Sequence, residues 1–270
     1  MEMKLLPQPP KAKIRKIEHW TIFVVIALLV LWSFTGIPFD GIKENAVKVS
    51  KAIFEGLIHP DWGYVWRGDG EDLITTLLLT VAIAFLGTFI SAIISLPFAF
   101  WAARNKISKI NWLVSGSGKF FLSFVRTFPE IVLALMFTKA VGPGAFAGVL
   151  AVGTHSVGML AKLFGEAIEN LESGPNESVV ATGGSKFNVI MFATMPQLLP
   201  ELVSNTLYRF ELAIRSASIL GIVGAGGIGT PLIFALQTRS WSRVGIILLG
   251  IIVMVTLVDF ISGTIRKRLI

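Results

Sequence analysis

The run LITTLLLTVAIAFLGTFISAIISLPFAFWAA, from Leu73 to Ala103, contains no charged residue. A helix needs about 20 mostly apolar residues to cross a bilayer, so this run is long enough to span one and to tilt or project beyond it. Five more stretches have the same character. They are Trp20–Phe39, Phe120–Ala140 (broken by Arg126, Pro129 and Glu130), Val141–Ala161, a stretch from Pro200 to about Val223, and a stretch from Val244 to Thr264. No alternating strand pattern accompanies them. The reading is an all-α polytopic membrane protein with about six transmembrane helices.

Composition agrees. Of the 270 residues, 53% are hydrophobic and only 15% charged, where a soluble domain carries about a quarter charged. There are no cysteines, which excludes disulfides and thiolate metal sites. The net charge of +7 raises the question of nucleic acid. Its distribution answers no, because the basic residues sit at the chain ends and in short connections, as membrane topology requires. Lys4, Lys11, Lys13, Arg15 and Lys16 precede the first run, Arg104, Lys106 and Lys109 follow the second, and Arg266, Lys267 and Arg268 follow the last. An even number of spans separates these groups, so all three, and both termini, are expected in the cytoplasm. Between the first two runs acids outnumber bases (Asp40, Glu44, Glu55, Asp61, Asp69, Glu71, Asp72). Residues 1–19 read as a basic tail and 20–39 as a retained first helix, longer than a signal-peptide core of roughly 7–15 residues. Residues 40–72 read as an extracytoplasmic segment. There, Asn45–Ile58 has helical apolar spacing suited to an interface, and Trp62, Tyr64 and Trp66 suit an aromatic belt at the lipid surface.

One long connection, Gly165–Pro200, is polar and longer than joining two helices requires. It reads Glu177-Ser-Val-Val-Ala-Thr-Gly183, then nine residues, then Ala193-Thr-Met-Pro196. This resembles the cytoplasmic "EAA" loop of ABC importer permeases, with Glu177, Gly183 and Pro196 on the pattern and Ser178, Val179 and Ala193 departing from its preferred residues. Further segments are similar to the phosphonate importer permeases (the PhnE type): 125–130, 158–168 and 215–229, within a likeness covering roughly residues 73–268. The resemblance implies a type I importer (MetI-like) permease fold in a bacterial inner membrane, with residues 73–268 as the transmembrane domain. It implies that the loop forms two short helices meeting at a bend, and that Glu177, Ser178, Ala181, Gly183 and Pro196 couple the chain to an ATPase. The partners it implies are a second copy of the chain, two ATP-binding cassette subunits, an extracytoplasmic phosphonate-binding protein and membrane lipid. No cofactor is expected on this chain, which has no G-x-x-x-x-G-K-[ST]; ATP and Mg belong to the partner. The cargo implied is a phosphonate or a related phosphorus oxyanion such as phosphite. Rival readings are a permease for methionine or another small nutrient, an ion-coupled secondary transporter, and a membrane enzyme, although no convergent catalytic set is present.

Charges inside spanning helices cost at least about 2.5–3.5 kcal/mol each on insertion scales. Arg126, Glu130, Arg209, Glu211 and Arg215, with Ser216, are therefore candidates to line a translocation path for an anion, or else to pair between helices. The i,i+4 spacing of Arg126 with Glu130 and of Glu211 with Arg215 predicts shared helix faces. His155 is expected to be hydrogen-bonded in packing. The run Gly224-Ala-Gly-Gly-Ile-Gly229 matches a dinucleotide fingerprint, but no strand precedes it. Gly224, Gly226, Gly227 and Gly229 instead mark a close-packed helix end and a candidate gate.

Overall fold

The computed structural model describes residues 12–36, 46–68, 70–103 and 112–269. Lys4, Lys11, Arg104, Lys106, Lys109, Asp40, Glu44 and Asp69, on which the expected sidedness partly rests, lie outside them. Among the described residues every regular element is helical. Contacts divide the chain into residues 1–50 and 51–270. The first unit holds α1 (Ala12–Gly36), whose stretch His19–Gly36 is long and apolar enough to cross a bilayer. The boundary between the units falls within α2 (Ala46–Ile58).

In the second unit, α3 (Leu73–Ala102) starts at Asp72, whose carboxylate accepts the Thr75 amide at 2.8 Å, and it runs through Pro97. Next come α4 (Trp112–Thr127) and α5 (Glu130–Val141), bent by 76° at the break between them. Pro129 explains the break: it disfavours helical backbone at Phe128 and sits as the extended N-cap of α5. Then follow α6 (Ala145–Glu169), the short α7 (Ser173–Ala181) and α8 (Lys186–Val189), and a π turn (Ile190–Thr194) leading into α9 (Met195–Leu220). A 3-10 turn, a glycine-rich turn, α10 (Gly229–Gln237) and α11 (Trp241–Leu269) complete the chain. Four helices (α1, α3, α6 and α11) are long and apolar enough to span, and α4–α5 makes a fifth if it is one broken span. The predicted span from Pro200 corresponds to α9, which starts earlier and fails the apolar criterion because Arg209, Glu211 and Arg215 interrupt it.

The packing inverts that of a soluble protein. On α3 the buried stripe is small and partly polar: Ala84, Gly87, Thr88, Ser91, Ser95 and Ala99. Its large side chains face outward, with Phe85, Phe89 and Ile93 each more than half exposed. Against lipid such exposure costs nothing, while small residues let backbones approach and gain dispersion. The stripe lies against α6, the helix most engaged with the rest, which also touches α4, α5 and α9. A Cβ on Gly87 would stand 2.9 Å from the Val152 side chain. Lower down, the Ser95 hydroxyl donates to the Val157 carbonyl at 3.2 Å. Tyr64 departs from the expected aromatic belt. It is 4% exposed, with the Arg67 and Arg243 guanidinium groups 5.3 and 5.1 Å from its ring centroid, while Trp62 and Trp66 are exposed.

Candidate functional site

Three regions on or beside α9 hold the residues singled out by sequence. The first is a buried charged cluster. Arg209 is 2% exposed. Its Nε donates to Ser156 Oγ at 2.7 Å, and its Nη2 donates to Glu130 Oε1 at 3.3 Å. The same Nη2 lies 3.2 Å from His155 Nδ1. A guanidinium only donates, so this contact requires the Nδ1 lone pair and assigns the ring proton to Nε2. The 3.7 Å approach of His155 Nδ1 to Glu130 Oε2 is then a contact with a neutral ring. The cluster ties α5, α6 and α9 together, and the Pro129 bend brings Glu130 into it. Ser156 escaped the sequence reading; its one signal is that it lies a turn from Val152 and Leu160, both fully buried.

Neither i,i+4 spacing becomes an ion pair, and only Glu211 and Arg215 keep the shared helix face. Arg126 and Glu130 are on opposite sides of the 76° bend and do not share a face. Arg126 is exposed and, among the described residues, has no acid within ion-pair distance. Glu211 is bonded instead by Arg266 of α11, whose guanidinium also lies over the Tyr208 ring. Arg215 Nη2 donates to Asp259 Oδ2 at 2.7 Å, in a pair with 50% and 39% of its side chains exposed. Ser216 is half-buried. Thus Glu130 and Arg209 meet, Glu211 and Arg215 turn to α11, and Arg126 stands apart. Among the described residues no group of His, Asp and Glu is arranged to hold a metal.

The second region is the glycine turn beyond α9. Gly224, Gly226 and Gly227 all have positive φ, near +80°. A Cβ on Gly226 would lie 2.8 Å from the Ala145 amide nitrogen, so this turn requires glycine on both counts. It is pinned from two sides: the Gly144 amide donates to the Gly224 carbonyl, and the Ile228 amide to Thr80 Oγ1, both at 2.8 Å. Gly229 opens α10, where it packs on the Ser218–Gly221 backbone. Sequence reading treated 224–229 as the end of a helix and left out α10, whose nine residues are too few to span.

At the opposite end of α9 lies the third region. Ser173–Ala181 and Lys186–Val189 are two short helices that meet at Gly183, with φ +81°. Glu177, Ser178, Ala181, Gly183 and Pro196 are all exposed. Pro196 is the second residue of α9, immediately after the π turn Ile190–Thr194. The pair is held from beneath by Thr194 Oγ1, which donates to buried Asn176 Oδ1 at 3.2 Å. Around it lies an apolar surface that includes Phe187 and Phe192, 68% and 72% exposed. A buried charge cluster, a glycine turn at one end of a long helix and a bent helix pair at the other form one continuous arrangement.

Residues 95–270 match the family described as "Binding-protein-dependent transport system inner membrane component". The chain belongs to that family. It is 42% identical over 255 residues to the phosphite transport system permease protein PtxC of Stutzerimonas stutzeri, across 94% of this chain and 90% of that one. It is 36% identical over 223 residues to the phosphate-import permease protein PhnE of Mycolicibacterium smegmatis, spanning 82% of this chain but 40% of that protein. Among solved structures, the inward-facing MetNI methionine ABC transporter superposes with a TM-score of 0.65 at 19% identity, over 76% of this chain and 100% of that one. This likeness concerns the fold, and the expected MetI-like architecture holds. As a member of this inner-membrane family the chain is a multi-pass permease subunit of an ABC importer, not an enzyme.

Proposed function

We propose that the chain forms the translocation path for a phosphonate or a related phosphorus oxyanion, phosphite foremost, across the bacterial cytoplasmic membrane. The observation that carries the reading is the 42% identity to a phosphite permease along nearly the whole chain. Residues 73–268 act as the transmembrane domain, with both termini cytoplasmic. Two copies pair around the path and bind two ATP-binding cassette subunits, which hold ATP and Mg, while an extracytoplasmic binding protein delivers the anion.

In this reading Glu177, Ser178, Ala181, Gly183 and Pro196 belong to the cytoplasmic coupling segment within 165–200. Its exposed polar rim and its apolar Phe187 and Phe192 suit a cleft in a partner subunit. Closure of the ATPase dimer moves this segment, and alternating access follows as α9 carries the motion. Arg126, Glu130, Arg209, Glu211, Arg215 and Ser216 border the path. Arg209, freed from Glu130, presents the two-pronged donor that an oxyanion accepts. Gly224, Gly226, Gly227 and Gly229 form the outer gate, since a turn without side chains can pack closely when shut.

The test is ATP-dependent uptake by the complete complex in proteoliposomes, across phosphite, methylphosphonate, phosphate and methionine. Uptake of phosphite or methylphosphonate, with copurification of the ATPase lost in Glu177→Lys and Gly183→Val, is the expected result. Methionine uptake alone, or uptake driven by an ion gradient without ATP, would refute the reading.

A further inference from the structure

A second concentration of cations lies away from the Glu130–Arg209 cluster, on the side of α6 that faces α4. A cavity of about 190 Å³ there is lined by Lys119 and Arg126 of α4 and by Gly158, Lys162, Glu166 and Glu169 of α6, among others. At one wall of the cavity the two helices pack closely: a Cβ on Gly158 would come within 3.2 Å of the Arg126 amide nitrogen. Three cations face two carboxylates. Lys119 Nζ pairs with Glu169 at 2.8 Å and Lys162 Nζ with Glu166 at 3.5 Å. Arg126 is left over, a permanent cation without an acidic partner among the described residues. Both lysine side chains are about half exposed, and the Lys162–Glu166 pair is so on both sides; exposed pairs hold weakly and exchange readily for a better acceptor.

We propose that this cavity binds a phosphoryl group, a tetrahedral phosphorus oxyanion held by the Arg126 fork, with Lys119 and Lys162 turning to it from their carboxylates. The excess positive charge matches an anion, and a guanidinium meets such an oxyanion through two parallel N–H bonds. Two sources supply this chemistry. One is a free oxyanion, which rests on the proposed cargo. The other is the headgroup of an anionic phospholipid, since basic pockets between transmembrane helices hold such groups.

The experiment uses the complete permease–ATPase complex in nanodiscs of phosphatidylcholine, with two readouts. Inorganic phosphite binding is followed by phosphorus NMR line broadening, and retention of added phosphatidylglycerol by native mass spectrometry. Arg126→Gln removes a charge-assisted contact, so affinity for the bound species should drop about tenfold or more; Arg126→Lys should recover part of it. The double variant Lys119→Gln/Lys162→Gln gives an independent loss if Arg126→Gln does not assemble. Reduced phosphite broadening assigns the site to the free anion, and reduced phosphatidylglycerol retention assigns it to lipid. Wild-type values for both probes in the assembled variants would overturn the proposal. Phosphite uptake that persists despite such a result would leave the transport reading intact; phosphite binding without phosphite uptake would leave the cavity assignment intact.

Discussion

The charged cluster around Arg209 and the glycine turn at Gly224–Gly229 are anchored to the same helix, about 18 Å apart along α9, yet they hold their neighbours by opposite means. At Arg209, three helices meet through groups that are expensive to bury and whose partners are side chains. At the turn, helices meet chiefly through closely packed backbone atoms, with the Thr80 hydroxyl accepting the Ile228 amide. Side-chain partners can be exchanged by rotating a torsion, so the first contact can be rearranged without moving a helix. The second opens only if α3, α6 or α10 moves as a body. A membrane bundle that must both stay assembled and change state has use for each kind.

The contrast can be tested by breaking each half. Arg209→Met leaves Glu130 buried without its cation and should cost about 3–5 kcal/mol, read as a loss of thermal stability of the complex in detergent. The double variant Glu130→Gln/Arg209→Met should recover most of that loss, because removing both charges together is often neutral, while anion uptake stays low. If the double variant is no more stable than the single, the cluster is not an electrostatic unit. Gly226→Ala forces a side chain into a positive φ against Ala145 and should cost about 1–3 kcal/mol. Unlike the Arg209 defect, no second substitution at a charged site should relieve it.

Smaller effects belong to the periphery. Arg215→Gln breaks a half-exposed pair with Asp259 and should change stability by about 1 kcal/mol or less; a loss as large as that of Arg209→Met would erase the distinction between buried and peripheral charges. Smallest is Asp72, whose carboxyl the Thr75 side chain and amide hold below the usual carboxylate range, helped by the Gly68 and Arg67 amides. Because the folded pKa is the lower one, this cap stabilises fully above the ordinary carboxylate pKa and fades as pH falls through the depressed value. Asp72→Asn, which caps without titrating, should flatten the melting-temperature profile on the acid side and leave it nearly unchanged at neutral pH.

Sequence reading reached the spans α3, α6 and α11 and the break at Pro129, and the bend in the 165–200 loop followed from the family resemblance, with Gly183 as the residue that permits it. The signals in the residues themselves are local: apolar length, a proline, or a residue tolerant of unusual backbone. It could not reach the partners. Glu130 suited Arg126 by spacing, but the bend it adjoins separates them and delivers Glu130 to Arg209, 79 residues away. Glu211 and Arg215 likewise found Arg266 and Asp259 on α11. Tyr64 was expected at the lipid surface, but it is buried in an apolar cluster with Leu73 and with Ile228 and Val244 from far along the chain, and Arg243 joins Arg67 over its ring. Hydropathy does not register α10, because nine residues folded back into a bundle look like the tail of a neighbouring span.

The π turn at Ile190–Thr194 has a mechanical consequence. The backbone on both sides of it is helical, at Val189 and at Met195, so the chain stays helical from Lys186 to Leu220, with Pro196 and Pro200 within that stretch. Phe192 near its foot is 72% exposed, and Arg209 sits about 26 Å further along. A sideways push at the foot therefore travels along continuous helix and crosses no loop. It reaches the guanidinium that holds Ser156 at 2.7 Å and Glu130 at 3.3 Å, so a buried polar junction feels a load applied outside it.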